Sequence, residues 1–168
     1  MAATDRFQCH TCGKWHDGPP LDFAYDSPHY WSESLRSDPG CFLNSDLCVV
    51  KNEDFFVRGV IEVPILESRE PFRWGVWVSL SKNNFDRMIE LSHNLKLLDE
   101  PPYFGWLSNS IEAYPQTLNL KTNVHWRNLR HRPYVLLELS DHPLAVEQRD
   151  GMTMDRVRQI AEKIMHSK

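Results

Sequence analysis

The chain has 168 residues, of which 41% are hydrophobic and 25% charged, an ordinary globular composition. Nineteen Lys and Arg against 23 Asp and Glu leave a net charge of −4, which disfavours a nucleic-acid binder working through a general basic surface. No apolar run reaches the roughly 20 residues of a bilayer-spanning helix, and the opening MAATDRFQCH lacks the apolar core of a signal peptide, so a cytoplasmic protein without membrane association is expected.

At roughly 100–200 residues per domain, the length predicts a single domain over residues 1–168. A Cys-bearing knuckle is expected at residues 7–16, with sheet and helices over 47–166. Residues 7–16, FQCHTCGKWH, have the pattern of a short hairpin around a turn. Residues 17–46 contain Pro19, Pro20, Pro28, Pro39, Gly18 and Gly40, which predicts loop and short helix, with a helical turn or two at 30–36. From Leu47 the residues become β-branched and aromatic. LCVV and FFVRGVIEVPI predict two strands joined by a turn at Asn52, Glu53 and Asp54, and Pro64 marks an edge or the end of pairing.

RWGVWVSL alternates with Trp74, Val76, Val78 and Leu80 on one face and Gly75, Trp77 and Ser79 on the other, so both faces are expected to be covered. Ser81 caps a helix through Leu95 whose apolar stripe is Phe85, Met88, Ile89 and Leu95. Pro101 and Pro102 end it. YPQTLNLKTNVHW predicts a strand with Leu118, Leu120, Thr122, Val124 and Trp126 inward and Asn119, Lys121, Asn123 and His125 on a wet face. RNLRHR is a basic turn and PYVLLELS a further strand. Thr153 caps a last helix over residues 154–166, with Val157, Ile160, Ala161, Ile164 and Met165 as its stripe. Strands in consecutive runs with helices inserted singly predict α+β: a mostly antiparallel sheet packed by two helices, with the knuckle at one end.

Six Trp, eight Phe and five Tyr supply either the pillars of a compact core or an aromatic-lined groove. The strongest chemical motif is Cys9-x-x-Cys12-Gly13-x-x-His16. Two thiolates at this spacing can turn onto one tetrahedral metal, and Gly13 permits left-handed backbone after the second ligand. Disulfides are uncommon in the cytosol, so zinc is favoured over a bridge. His16 is a candidate third ligand, and Cys41 and Cys48 are candidates for the remainder. No His-Glu-x-x-His cluster accompanies the motif, so a closed site is expected. The alternatives are unmetallated buried cysteines and a redox dithiol at Cys9 and Cys12, although no helix pattern follows the first Cys.

His125 or His142, with Glu147 and an Arg, could carry acid–base chemistry if they shared a pocket; a capping or surface histidine is the structural alternative. Arg127, Arg130 and Arg132, with His131 among them, could hold a phosphate or carboxylate, or form a solvated turn. The scattered glycines form no phosphate loop, and no Ser, Cys or Thr sits in a nucleophile elbow.

FQCHTCGKWHDGPPL, SDLCVV with FFVRGVIEVPI, EPFRWGVWVSLS, EPPYFGWL, YPQTLNLKT and DHPLAVEQRDGMT occur in that order over roughly residues 7–160. In these segments the chain resembles the bacterial domain-of-unknown-function family 2199. The resemblance implies a small cytosolic bacterial protein and maps the family's Cys-x-x-Cys-Gly-x-x-His segment and the Cys of Ser-Asp-x-Cys onto Cys9, Cys12, His16 and Cys48. It thereby favours Cys48 over Cys41 as knuckle partner. Many relatives have Cys where this chain has Val60.

The expected function is a zinc-stabilised binding or interaction module without catalysis, its metal held by Cys9, Cys12, His16 and Cys48 and its partner a protein or small molecule. The alternative is a small hydrolase or transferase using His, Glu and Arg groups after residue 117.

Overall fold

The computed structural model describes residues 6–128 and 130–166. The strands are β1 (Arg6–Gln8), β2 (Trp15–Asp17), β3 (Asp22–Ala24), β4 (Phe42–Leu43), β5 (Leu47–Val50), β6 (Asp54–Val63), β7 (Phe72–Leu80), β8 (Tyr103–Leu107), β9 (Lys121–His125) and β10 (Tyr134–Leu137). The α-helices are α1 (Lys82–Ser92), α2 (Pro143–Asp150) and α3 (Met154–Met165).

The class is α+β, and the main sheet is mostly antiparallel as expected but not purely so: six of its pairings are antiparallel and two are parallel. It runs β3-β7-β8-β9-β10-β6-β5-β4, and β6 also pairs with β7. Strands β6 to β10 therefore close into a five-stranded barrel. Four of its five seams are antiparallel. A meander of an odd number of strands must bring its first and last strands together in the same direction, so the fifth seam, β6 with β10, is parallel. It consists of one paired position, Tyr134 opposite Val60, extended by the Val60 N–H donating to the Pro133 carbonyl at 2.9 Å. A second parallel pairing adds β3 to β7.

The period-two pattern of β7 is borne out on both faces: Trp74, Val76, Trp77 and Val78 are all fully buried. One edge of β7 is shared, with β3 taking Arg73 to Gly75 and β8 taking Val78 and Ser79. Between them the Trp77 N–H donates to Asn109 Oδ1 at 2.7 Å and its carbonyl accepts from the Ser108 N–H at 2.8 Å, so no buried backbone group is stranded where the two partners diverge.

Pro64 marks the end of β6 as expected, and Lys51 and Asn52 take left-handed backbone in the turn between β5 and β6. The expected short helix is a 3-10 turn at Glu33–Ser37. The strand expected from residue 114 begins only at Lys121, because Asn119 adopts φ 67° and breaks the extended run. PPYFGWL, expected to break the preceding helix, contains strand β8, with Tyr103, Gly105 and Leu107 buried and Phe104 and Trp106 exposed.

Three helices pack the sheet instead of two. Ser81 caps α1 as predicted, its side chain accepting from the Asn84 N–H at 3.2 Å. The helix stops at Ser92, however, and Leu95 is left-handed and exposed. Thr153 caps α3, and Val157, Ile160 and Ala161 are fully buried. The unexpected α2 starts with His142 as cap and Pro143 in its first turn, where a missing N–H costs nothing. Most buried apolar residues form one cluster; Cys41, Cys48, Val50, Phe56 and Trp77 form a second.

Candidate metal centre

The knuckle is a short antiparallel hairpin. Strands β1 and β2 pair Phe7 with His16 and Gln8 with Trp15. The Cys9 N–H donates to the Lys14 carbonyl at 2.9 Å, and the Gly13 N–H donates to the Cys9 carbonyl at 2.8 Å. Gly13 sits at φ 71°, the left-handed conformation expected after the second Cys, and a side chain would be strained there.

This turn places Cys9, Cys12 and His16 together. The fourth member is His166, at the C-terminal cap of α3. One ligand atom from each of the four residues lies within 4.8 Å of all the others. Cys9 Sγ is 3.1 Å from His166 Nε2, and Cys12 Sγ is 3.4 Å from His16 Nε2. Cys9 is buried, Cys12 is exposed, and the two histidines are half-buried. Tetrahedral sites of two thiolates and two imidazoles draw on this donor set, and with all four positions filled by side chains none is left for a substrate.

Local electrostatics favour a thiolate at Cys9. Burial pushes its pKa up, but hydrogen bonds from the backbone of Cys12 and Thr11 and from the Cys12 side chain outweigh burial and the nearby Glu162 charge, leaving it lowered. A cation here would also lie at the negative end of the α3 dipole. Glu162 fastens the hairpin to the same helix: its Oε1 accepts from the His10 N–H at 2.9 Å.

Cys48 is not part of this group. It lies on β5, fully buried, in the second core cluster with Cys41. Burial, and secondarily Cys41, push its thiol up to about 12, so it stays protonated at neutral pH. Cys41 Sγ accepts from the Lys51 N–H at 3.1 Å. All four cysteines are free thiols. His166 has no spacing relation to the knuckle, being 157 residues from Cys9. The one hint in the sequence is its position at the end of a helix with a stripe that has to dock.

Among the other candidate groups, His142 and Glu147 are engaged by neighbours in the fold. His142 Nδ1 accepts from the Leu144 N–H at 3.1 Å, while Nε2 donates to the carbonyls of Pro115 and Gln116 at 2.9 and 3.1 Å. Both nitrogens are thus occupied in one neutral tautomer. Glu147 accepts from the Tyr114 hydroxyl and, at 2.8 Å, from Arg156 Nε. Burial, and then that carboxylate, push the Tyr114 hydroxyl well above its ordinary pKa. His125 stands on β9 opposite Tyr134. In the basic turn, Arg132 Nε donates to Asp46 at 2.8 Å and Arg127 Nε to the Arg132 carbonyl at 2.6 Å.

A family model described as an uncharacterised protein conserved in bacteria (DUF2199) matches residues 8–152, and so includes Cys9, Cys12 and His16 but stops before His166. Neither a curated protein nor a solved structure matches the chain.

Proposed function

The chain belongs to this bacterial family, and we propose that it is a zinc-stabilised binding module without catalysis, its ion held by Cys9, Cys12, His16 and His166. The observation that supports this most is the convergence of those four side chains, with ligand atoms within 4.8 Å of one another. Two sulfurs and two imidazole nitrogens suit zinc's preference for four soft or borderline donors. A closed set makes the ion structural rather than catalytic. Its role is mechanical: it ties a hairpin that has only three-residue strands to the far end of α3. Binding energy at such a site becomes folding energy, because the unfolded chain offers no preformed cage.

Elemental analysis of protein purified without chelator tests this, with about one zinc per chain expected. Cobalt substitution should add the thiolate charge-transfer bands and intense visible bands of a tetrahedral centre. A metal-to-protein ratio near zero, together with unchanged melting in chelator, overturns the proposal.

A further inference from the structure

A cleft of about 960 Å³ lies elsewhere and shares no residue with the knuckle. It runs along the parallel seam of the barrel, where β6 and β10 meet at the single pair Val60 and Tyr134. One wall comes from α1 and the segment after it, the other from the turn joining β9 to β10. Its volume is in the range of small-molecule sites.

The lining divides by chemistry. Met88, Ile89, Leu97 and Trp126 offer apolar surface. Against it stand five guanidinium groups, Arg58, Arg73, Arg127, Arg130 and Arg132. This is a strong concentration of positive charge in a chain whose net charge is −4. The carboxylates nearby account for part of it. Arg73 pairs with Glu62 at 3.2 Å, Arg132 with Asp46 at 2.8 Å, and Arg58 lies 3.7 Å from Asp26. Arg127 and Arg130 pair with no carboxylate among the described residues. Arg127 is held in place instead, with its Nε on the Arg132 carbonyl and its guanidinium carbon 3.9 Å from the centroid of the Tyr134 ring. Its terminal nitrogens remain for another acceptor. Arg58 Nε is buried without a hydrogen-bond partner among the described residues, and burial followed by the like charge of Arg132 lowers the Arg58 pKa.

Gathering like charges beside apolar surface is unfavourable in the absence of an anion, and a planar oxyanion matches the guanidinium fork. We propose that this cleft binds a small amphipathic organic anion, with its carboxylate or phosphate held by Arg127 and Arg130 and its apolar body laid on Met88, Ile89, Leu97 and Trp126. This gives the binding module a ligand class. It rests on the binding half of the function proposed above and not on the metal half, and zinc content measured on the same sample keeps the two separable.

Isothermal titration of the full chain with 1-naphthyl phosphate, 1-naphthoate, 1-naphthol and inorganic phosphate tests it. At least one of the two naphthyl anions should bind about tenfold or more tighter than both naphthol, which lacks the charge, and inorganic phosphate, which lacks the body. The better head group identifies the oxyanion. The double variant R127Q/R130Q should lose about tenfold or more of that affinity, while R149Q, at a guanidinium outside the cleft, should leave it unchanged. Naphthol binding as well as the anions, no binding by either anion, or equal losses in R127Q/R130Q and R149Q would each overturn the proposal. The ligand comparison on the unaltered chain decides the matter even if the double variant misfolds.

Discussion

Cys9 Sγ and His166 Nε2 are 3.1 Å apart, although 157 residues separate them in the chain. A crosslink between them closes almost the whole described chain into a loop. Closing a long loop carries a large entropic cost in the unfolded state, so an ion bridging these ends has a strong lever on stability.

Replacing His166 with Ala should therefore weaken zinc binding by more than the roughly 10–100-fold that loss of an outer-shell partner costs. Cys48→Ala should leave zinc affinity unchanged, because that thiol belongs to the second core cluster. Competition titration against a zinc-sensitive chelator measures both. If Cys48→Ala weakened binding as much as His166→Ala, His166 could not be the fourth ligand in place of Cys48.

Glu162 docks the hairpin through its side chain, which accepts from the His10 N–H, while its backbone carbonyl, untouched by a side-chain substitution, accepts from the His166 N–H. Glu162→Ala deletes the acceptor for the His10 N–H, a hydrogen bond to a carboxylate. A loss of about 1.5 kcal/mol is expected in urea melts, and hydrogen exchange should accelerate over residues 6–17 before the barrel is affected. Uniform exchange across the chain would show that the hairpin does not open as its own unit.

Stability should fall on the alkaline side. The Cys48 thiol is raised from the ordinary 9.0 to about 12, first by burial and then by Cys41. The Tyr25 hydroxyl is raised from 10.0 to about 12, first by burial and then by Glu112. Both groups are neutral when protonated, and the folded state holds those protons more tightly than the unfolded state. Their contribution is complete below pH 9 and is lost as the pH climbs through about 12. Urea midpoints across this window should decline, and less steeply in Cys48→Ala. A flat profile would show that the thiol is not held protonated by the core.

Gly105 is fixed by contact rather than by dihedral freedom. A Cβ there would fall 2.5 Å from the Ser79 carbonyl oxygen and closer still to Val78 Cγ1. Backbone cannot yield as a side-chain tip does. Gly105→Ala should cost about 3 kcal/mol, the upper part of the usual range for overpacking, because it pushes β8 off β7. Thermal melting measures this, and a change below about 0.5 kcal/mol would mean that the seam adapts.

Whatever depends on near neighbours in this chain is legible in its residues. The alternation of β7, the Ser81 and Thr153 caps, the α3 stripe apart from the exposed Met165, and the turn carrying Cys9, Cys12 and His16 all follow from rules spanning a few residues. Even α2 is written locally, as a cap residue followed by Pro143, and is obscured only by the charged residues around it. Whatever joins distant segments emerges only on folding. Barrel closure requires β6 to meet β10 across the intervening strands, and no periodicity records which edges will meet. Cys48 satisfies the count of thiols, but its strand pairs into the sheet and buries it away from the knuckle. His166 carries no motif and reaches the site because the apolar face of α3 has to dock, bringing the end of the helix to the hairpin. Local patterns are set by covalent spacing, whereas a ligand shared by two ends of a chain is set by how the core packs between them.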